Sequence, residues 1–419
     1  MRPAVPVLDP AAVAPAAPVP FSPRVAILIV LTLFPYLALP VGDSTNLPLA
    51  SLFALAFVRE IMGRPRLLVP FLVLSLGPIL MLYVQFLLGR SLGWVIHAGV
   101  WFIQVLPFVA VAAAVVVSAH TVRITLRVAL IAAAGYAVVQ KFFLDSGVLP
   151  FVWMYDLPGY WSVPDNLHEI VTYVRRPFGW FPEPSFMAGT LVLASIGLLL
   201  LGYRERNRPS VPDLLAVGLV AVAMALSQSG SALPTLPVLA ALAVLPFSSV
   251  RRQVAFVLAG IVLWAVVATD LLESRYSTPN ASWNDRLASI IGGGRYLLDN
   301  QPFLFTGIGV GGSTALYEHR LIPLSGLGVA YPLDDIFSVS GGIVMSNGII
   351  AGAAMLAVLL VPIVWAFAHS TSPFFGVLAA SAWIVVASLT ISYNSAAWIW
   401  ALPGLCLGIL LSNRERRST

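Results

Sequence analysis

The chain has 419 residues, 59% hydrophobic and only 10% charged, with a mean hydropathy of +0.92 and a formal net charge of +5. An ordinary soluble domain is roughly 25% charged, so a water-soluble core for the whole chain is excluded and lipid is the solvent for most of it. Lys141 is the one lysine among 23 basic residues; the net charge reads as cytoplasmic arginine, not a nucleic-acid surface, and the preference for arginine reads either as anion ligation or as a compositional bias of the genome. Cys406 is the one cysteine, which excludes an internal disulfide, and no CxxC or His/Cys cluster points to a structural metal. No cofactor is expected.

Residues 1–23 carry Pro3, Pro6, Pro10, Pro15, Pro18, Pro20 and Pro23 and predict a disordered tail. The apolar run begins only after Arg24, so the first span reads as an uncleaved anchor and not a signal peptide. Spans are predicted near 24–41, 46–62, 67–88, 93–117, 122–144, 184–203, 211–227, 231–249, 253–272, 338–367, 374–391 and 396–412. That gives an all-α, polytopic membrane protein with about twelve transmembrane helices. Residues 24–412 form one membrane domain with two larger loops, 145–183 and 273–337, and 413–419 is a short tail.

Orientation follows from the arginines. Arg2 and Arg24, Arg59, Arg64 and Arg66, Arg123 and Arg127, Arg204, Arg206 and Arg208, Arg251 and Arg252, and Arg414, Arg416 and Arg417 put 15 of the 23 basic residues on one side. The excess predicts both termini in the cytoplasm and both larger loops outside it.

Those loops hold the candidate chemistry. The first contains Trp180, Arg175, Arg176 and Glu183. Its many aromatic rings read either as an interfacial belt or as a platform for sugar stacking. Paired arginines on the side where positive charge is disfavoured read as ligands of anionic headgroups or of a diphosphate, which suits a planar guanidinium. Glu183 lies between Pro182 and Pro184 at the start of a span, with Ser185 set to cap that helix. Glu183 is a helix-start acid, an arginine's partner or a substrate ligand. Ser229, in the turn Ser227–Ser231, is either a turn hydroxyl or a site residue. The second loop holds Arg286, Arg295, His319, Arg320 and the pair Asp334 and Asp335, which reads as a helix cap or as a general base. Residues 284–303 have partly helical spacing. Gly307, Gly309, Gly311 and Gly312 lack the strand–helix unit of a dinucleotide fingerprint and read instead as a loop whose amides approach a phosphate.

Three stretches resemble the bacterial O-antigen polymerase and O-antigen ligase superfamily. WFPEPSFMAG (Trp180–Gly189) is similar to the Glu-Pro-Ser stretch of exopolysaccharide polymerases. ALSQSGSALPTL (Ala225–Leu236) resembles a serine-rich turn, with Gly230 where the family has arginine. NDRLASIIGGGRYLLDNQPFLFTGIGVGG (Asn284–Gly312) resembles an arginine, a helix, then proline and Gly-x-Gly, with Arg286 at the arginine position. The likeness covers roughly residues 170–370. It implies a glycosyltransferase of the bacterial inner membrane that polymerises undecaprenyl-diphosphate-linked repeats at the periplasmic face, without cofactor or metal. Arg286, Asp335, Glu183 and Asp334 would be catalytic. Arg175, Arg176, Arg295, Arg320, Trp180 and Ser229 would bind substrate. The partners implied are the lipid-linked oligosaccharide, membrane lipid and a chain-length regulator protein. The ligase's histidine before the long span is missing from LDDIFSVSGG (Leu333–Gly342), which favours a polymerase over a ligase. A lipid-linked glycan transporter is the rival from another class, but the predicted spans are nearly free of charge, with His97, Gln85 and Gln104 their main polar interruptions.

Overall fold

A computed structural model describes residues 20–34, 36–40, 46–89, 95–157, 163, 167–229, 232–244, 281–329, 333, 336–389 and 397–418. The described chain is all-α apart from one small hairpin. Helix α1 runs over Pro23–Leu33. It is shorter than the predicted 24–41 span because Phe34, which precedes Pro35, leaves helical geometry (φ −121, ψ 60). The chain then forms strands β1 (Ala38–Pro40) and β2 (Asn46–Pro48), with Leu39 opposite Leu47. The predicted 46–62 span is likewise broken, into α2 (Leu49–Phe53), a 3₁₀ turn (Ala54–Phe57) and α3 (Val58–Met62).

Four described helices are long and apolar enough to cross a membrane. They are α4 (Pro65–Leu87), α5 (Val95–Asp145), α7 (Pro184–Arg206) and α13 (Val339–Ser370), with α6 a single turn at Leu167–Glu169. Helix α5 has 51 residues, about 77 Å if straight, against a hydrocarbon core of about 30 Å. Ser118 resolves the conflict. Its backbone is non-helical (φ −159, ψ 86), and its Oγ accepts from the Thr121 amide at 3.2 Å, capping a new helix. The two halves match the predicted 93–117 and 122–144 spans. The shorter apolar helices are α8 (Val211–Ser227), α9 (Ala232–Val244) and α14 (Pro373–Leu389), and α15 (Ala397–Ser418) closes the chain. The predicted 253–272 span lies outside the described residues.

Helix α7 is the buried centre, with every residue from Met187 to Tyr203 inside. It is apolar on all sides, as a core helix must be. Helix α15 lies tightly along α5, because a Cβ at Gly404 would stand 2.0 Å from the Phe108 carbonyl and one at Gly408 2.5 Å from that of Ala112. One end of the bundle gathers the short arginine-bearing turns. Arg24 pairs with Glu60 at 2.5 Å, the Ser22 amide donates to Thr121 Oγ1, Arg123 reaches Glu205 at 2.7 Å and Asp213, and Arg204 donates to Ser412 Oγ at 2.6 Å.

The second large loop is not a loose connection. Residues 281–318 form α10 (Ala281–Asp299), α11 (Gln301–Thr306) and α12 (Gly312–Glu318). They enclose a small core of their own, with Ala288, Leu297, Ile308, Leu316, Tyr317 and Met345 buried together. Gly293 permits it, since a Cβ there would meet Met345 Sδ at 2.4 Å. Sequence reading foresaw a helix here but not a cap with its own core. Helix α13, at the far side of the cap, is broken at Gly348 (φ 74, ψ 173).

Candidate active site

A π-turn (Ile170–Val174) leads into the site and ends where Arg175 adopts a left-handed conformation (φ 44). That turn sends the two paired arginines different ways. Arg175 is exposed, its Nε donates to the Val171 carbonyl at 3.2 Å, and its own carbonyl accepts from Lys141 Nζ at 3.2 Å. Arg176 is half-buried and within electrostatic reach of Glu183. Burial lowers its pKa from the usual arginine value, and the Glu183 charge works the other way.

Glu183 itself holds the N-cap position of α7 in extended geometry (φ −147, ψ 154), with Pro184 as the first helical residue. The cap expected of Ser185 is not made. Ser185 lies inside the first turn, and its hydroxyl donates to Glu183 Oε2 at 3.1 Å. Arg286, from the first half of α10, comes to the same place. Its Nη2 donates to Ser185 Oγ at 3.3 Å and lies 3.7 Å from Glu183 Oε2, an ion pair beyond hydrogen-bond length. The Arg286 side chain is 18% exposed and that of Glu183 47%. Burial lowers the Arg286 pKa, with Glu183 opposing. Residues far apart in sequence thus meet, with the Arg286 guanidinium at ion-pair distance from Glu183 and Arg176 within reach of the same charge. The start of α7 adds the positive end of a long helix dipole. The arrangement favours an anion with several oxygens.

The other candidates stand elsewhere. Trp180 is buried, not open to a sugar: Phe34 stacks on it at 4.2 Å, Tyr136 lies parallel at 6.2 Å, and its Nε1 donates to the Leu33 carbonyl. That covers the ring, so its visible role is packing. Arg295 is exposed and donates to the Ser325 carbonyl at 3.3 Å. Arg320 and His319 are exposed just after α12, and Arg320 takes a left-handed turn (φ 56). Ser229 is 3% exposed, with its amide on Ser227 Oγ. Asp334, Asp335 and Gly230 lie outside the described residues. The glycine-rich turn offers fewer amides to a phosphate than expected. The Ile308 amide donates to the Met345 carbonyl at 2.8 Å, that of Gly309 to Ser346 at 3.1 Å, and that of Gly307 to Phe303 at 2.8 Å. Its glycines serve close packing on the α13 break, where a Cβ at Gly307 would lie 2.3 Å from the Ser346 carbonyl oxygen.

Two residues near the site escaped the sequence reading. Ser185 was noted only as a cap, yet it joins Glu183 to Arg286. Gln140 was passed over, although an amide inside an apolar span was the available signal. Among the described residues no three His, Cys, Asp or Glu side chains converge as a metal site would require. No protein-family model matches the chain, and no curated protein matches it.

Proposed function

We propose that this chain is a polytopic glycosyltransferase of the bacterial inner membrane, of the O-antigen polymerase kind, that joins undecaprenyl-diphosphate-linked oligosaccharide repeats. The meeting of Arg286 with Glu183 and Ser185 at the head of α7, where the Glu183 charge also reaches Arg176, carries this reading. The two guanidiniums would neutralise a diphosphate on the growing glycan. The bond from the anomeric carbon to the diphosphate oxygen breaks, and undecaprenyl diphosphate leaves with the electron pair. A hydroxyl of the next repeat forms the new bond to that carbon, and its proton passes to a carboxylate. Stabilising the departing charge with preset donors is the largest contribution such a site can make. Glu183 orients Arg286, and Asp334 or Asp335 receives the proton. The bundle end bearing Arg24, Arg123 and Arg204 faces the cytoplasm, and the site faces the periplasm.

A second reading has one observation in its favour. The break of α13 at Gly348, beside buried Ser346, Asn347 and Gln85, is the kind of discontinuous helix on which transporters build sites. Two measurements separate the readings. The purified chain, given lipid-linked repeats from the producing cell and no nucleotide, should yield a ladder of longer products; unchanged substrate mass would defeat the polymerase and leave the transporter. For orientation, a cysteine at exposed His319 should react with an impermeant thiol reagent in spheroplasts, and one at exposed Arg208 only after lysis. The reverse pattern would put the site in the wrong compartment.

A further inference from the structure

Gln140 projects from α5 and is fully buried. Its Oε1 accepts from the amides of Phe178 at 2.8 Å and Gly179 at 2.7 Å. Its Nε2 donates to Tyr155 Oη at 2.8 Å and to the Gly179 carbonyl at 3.3 Å. Tyr155, 1% exposed, donates to that same carbonyl at 2.5 Å. One side chain thus spends both its donor and its acceptor capacity on a single turn. The turn is closed by the Phe181 amide on the Phe178 carbonyl at 3.0 Å and needs the left-handed Gly179 (φ 58). It separates Arg176 from Glu183.

We propose that Gln140 is a positioning residue for the diphosphate site, fixing through Gly179 the separation of Arg176 and Glu183; this rests on the functional reading above. The reasoning is geometric. Between Arg176 and the start of α7 the chain has no helix or strand to hold it, so the spacing of the two charged groups depends on side-chain bonds. The clasp is anchored on α5, a long helix packed on α7 and α15. An amide is a better clasp here than a carboxylate, because it bonds an N–H and a C=O of the same residue at once. It also adds no charge beside the two arginines.

The test compares three variants of the full-length chain in lipid nanodiscs. It uses undecaprenyl diphosphate as the binding probe and lipid-linked repeats for turnover. Gln140→Leu should lower kcat on the order of 100-fold, the scale of a misplacement of about 1 Å, with a smaller change in KM. Tyr203→Phe is the control for losing a buried hydrogen bond. It removes a donor to the Leu242 carbonyl at the other end of the bundle and should leave kcat unchanged. Arg286→Ala reports on the site itself. If Arg286→Ala loses binding and turnover while folded Gln140→Leu keeps wild-type kcat, the positioning role is overturned and the site stands. If both keep wild-type values, the functional reading falls and this inference with it. Should Gln140→Leu not fold, Tyr155→Phe removes the second donor to Gly179. It should lower kcat about tenfold, the loss of one hydrogen bond, and an unchanged kcat would overturn the proposal.

Discussion

At the tail end of the bundle Arg123 is 2% exposed, bonded to Glu205 at 2.7 Å and to the fully buried Asp213, which Arg127 and Ser210 also bind. At the loop end Arg286 is 18% exposed and stands 3.7 Å from a Glu183 that is 47% exposed. Both are arginines brought against an acid from a distant helix. The first set pairs two guanidiniums with two carboxylates in short bonds, and Asp213 also closes a capping box with Ser210 at the start of α8. Such a cluster pairs its charges internally and ties α5, α7 and α8 together. At the loop end the ion pair is Arg286 with Glu183, longer than a hydrogen bond, and the Glu183 charge also reaches Arg176. A ligand anion can replace a contact of that length with shorter bonds. On the function proposed above, the difference makes the tail end a structural tie and the loop end the place for the diphosphate.

Breaking the tight cluster should have the largest effect on the protein itself. Arg123→Ala leaves Asp213 buried with one guanidinium fewer, and removing one partner of a buried pair costs about 3–5 kcal/mol. Thermal unfolding in detergent should fall sharply, and expression with it. A variant of normal thermal stability would mean that the cluster is not a structural tie.

Arg286→Ala should have the opposite profile. Losing a charge-assisted contact costs about 1.5–3 kcal/mol in binding, read as the affinity for undecaprenyl diphosphate, while the unfolding temperature stays near wild type. Arg286→Lys should recover part of the affinity, since lysine keeps the charge and loses the fork. If Arg286→Ala destabilised the protein as much as Arg123→Ala, the two ends would not differ in kind.

How much of this was legible beforehand depends on what signals each part sends. The apolar runs from Pro65, Pro184 and Val339 announce their helices by length alone. Arg286 and Glu183 were legible as charges in the two larger loops, because charge near a membrane demands a reason. Their meeting was not, since no local pattern reports that α10 returns over the head of α7. The break after α1 was written in Pro35, but hydropathy averages over it. Trp180 misled for a simple reason: an aromatic near an interface has the same sequence signature whether its faces are open or covered by Phe34 and Tyr136. Asp213 went unremarked inside the predicted 211–227 span, although Ser210 three residues before it is a capping-box signal.

Glu183→Gln sharpens the comparison at smaller scale. It keeps the hydrogen bond from Ser185 and removes the charge opposite Arg286. A half-exposed pair contributes about 0.2–1 kcal/mol, so stability should hardly move. Affinity for undecaprenyl diphosphate should change by no more than about fivefold. A loss as large as that of Arg286→Ala would make Glu183 a direct ligand or proton acceptor instead of an orienting group.

Arg295→Ala should have the smallest effect. Arg286 and Arg295 share α10, and the family resemblance implies catalysis for the first and substrate binding for the second. Nine residues of α-helix turn through 900°, which places the two side chains on opposite faces, about 13.5 Å apart along the axis. Arg295 is exposed and bonded to the Ser325 carbonyl at 3.3 Å, the setting of a surface side chain whose removal changes stability by about 0.5 kcal/mol or less. Turnover and undecaprenyl diphosphate affinity should therefore match wild type, under conditions where Arg286→Ala has lost both. The two alanine variants remove the same chemical group from the same helix, so any difference between them comes from the face they occupy. Equal losses in both, with folded protein, would mean that the ligand reaches around α10 and that the head of α7 is not the centre of the site.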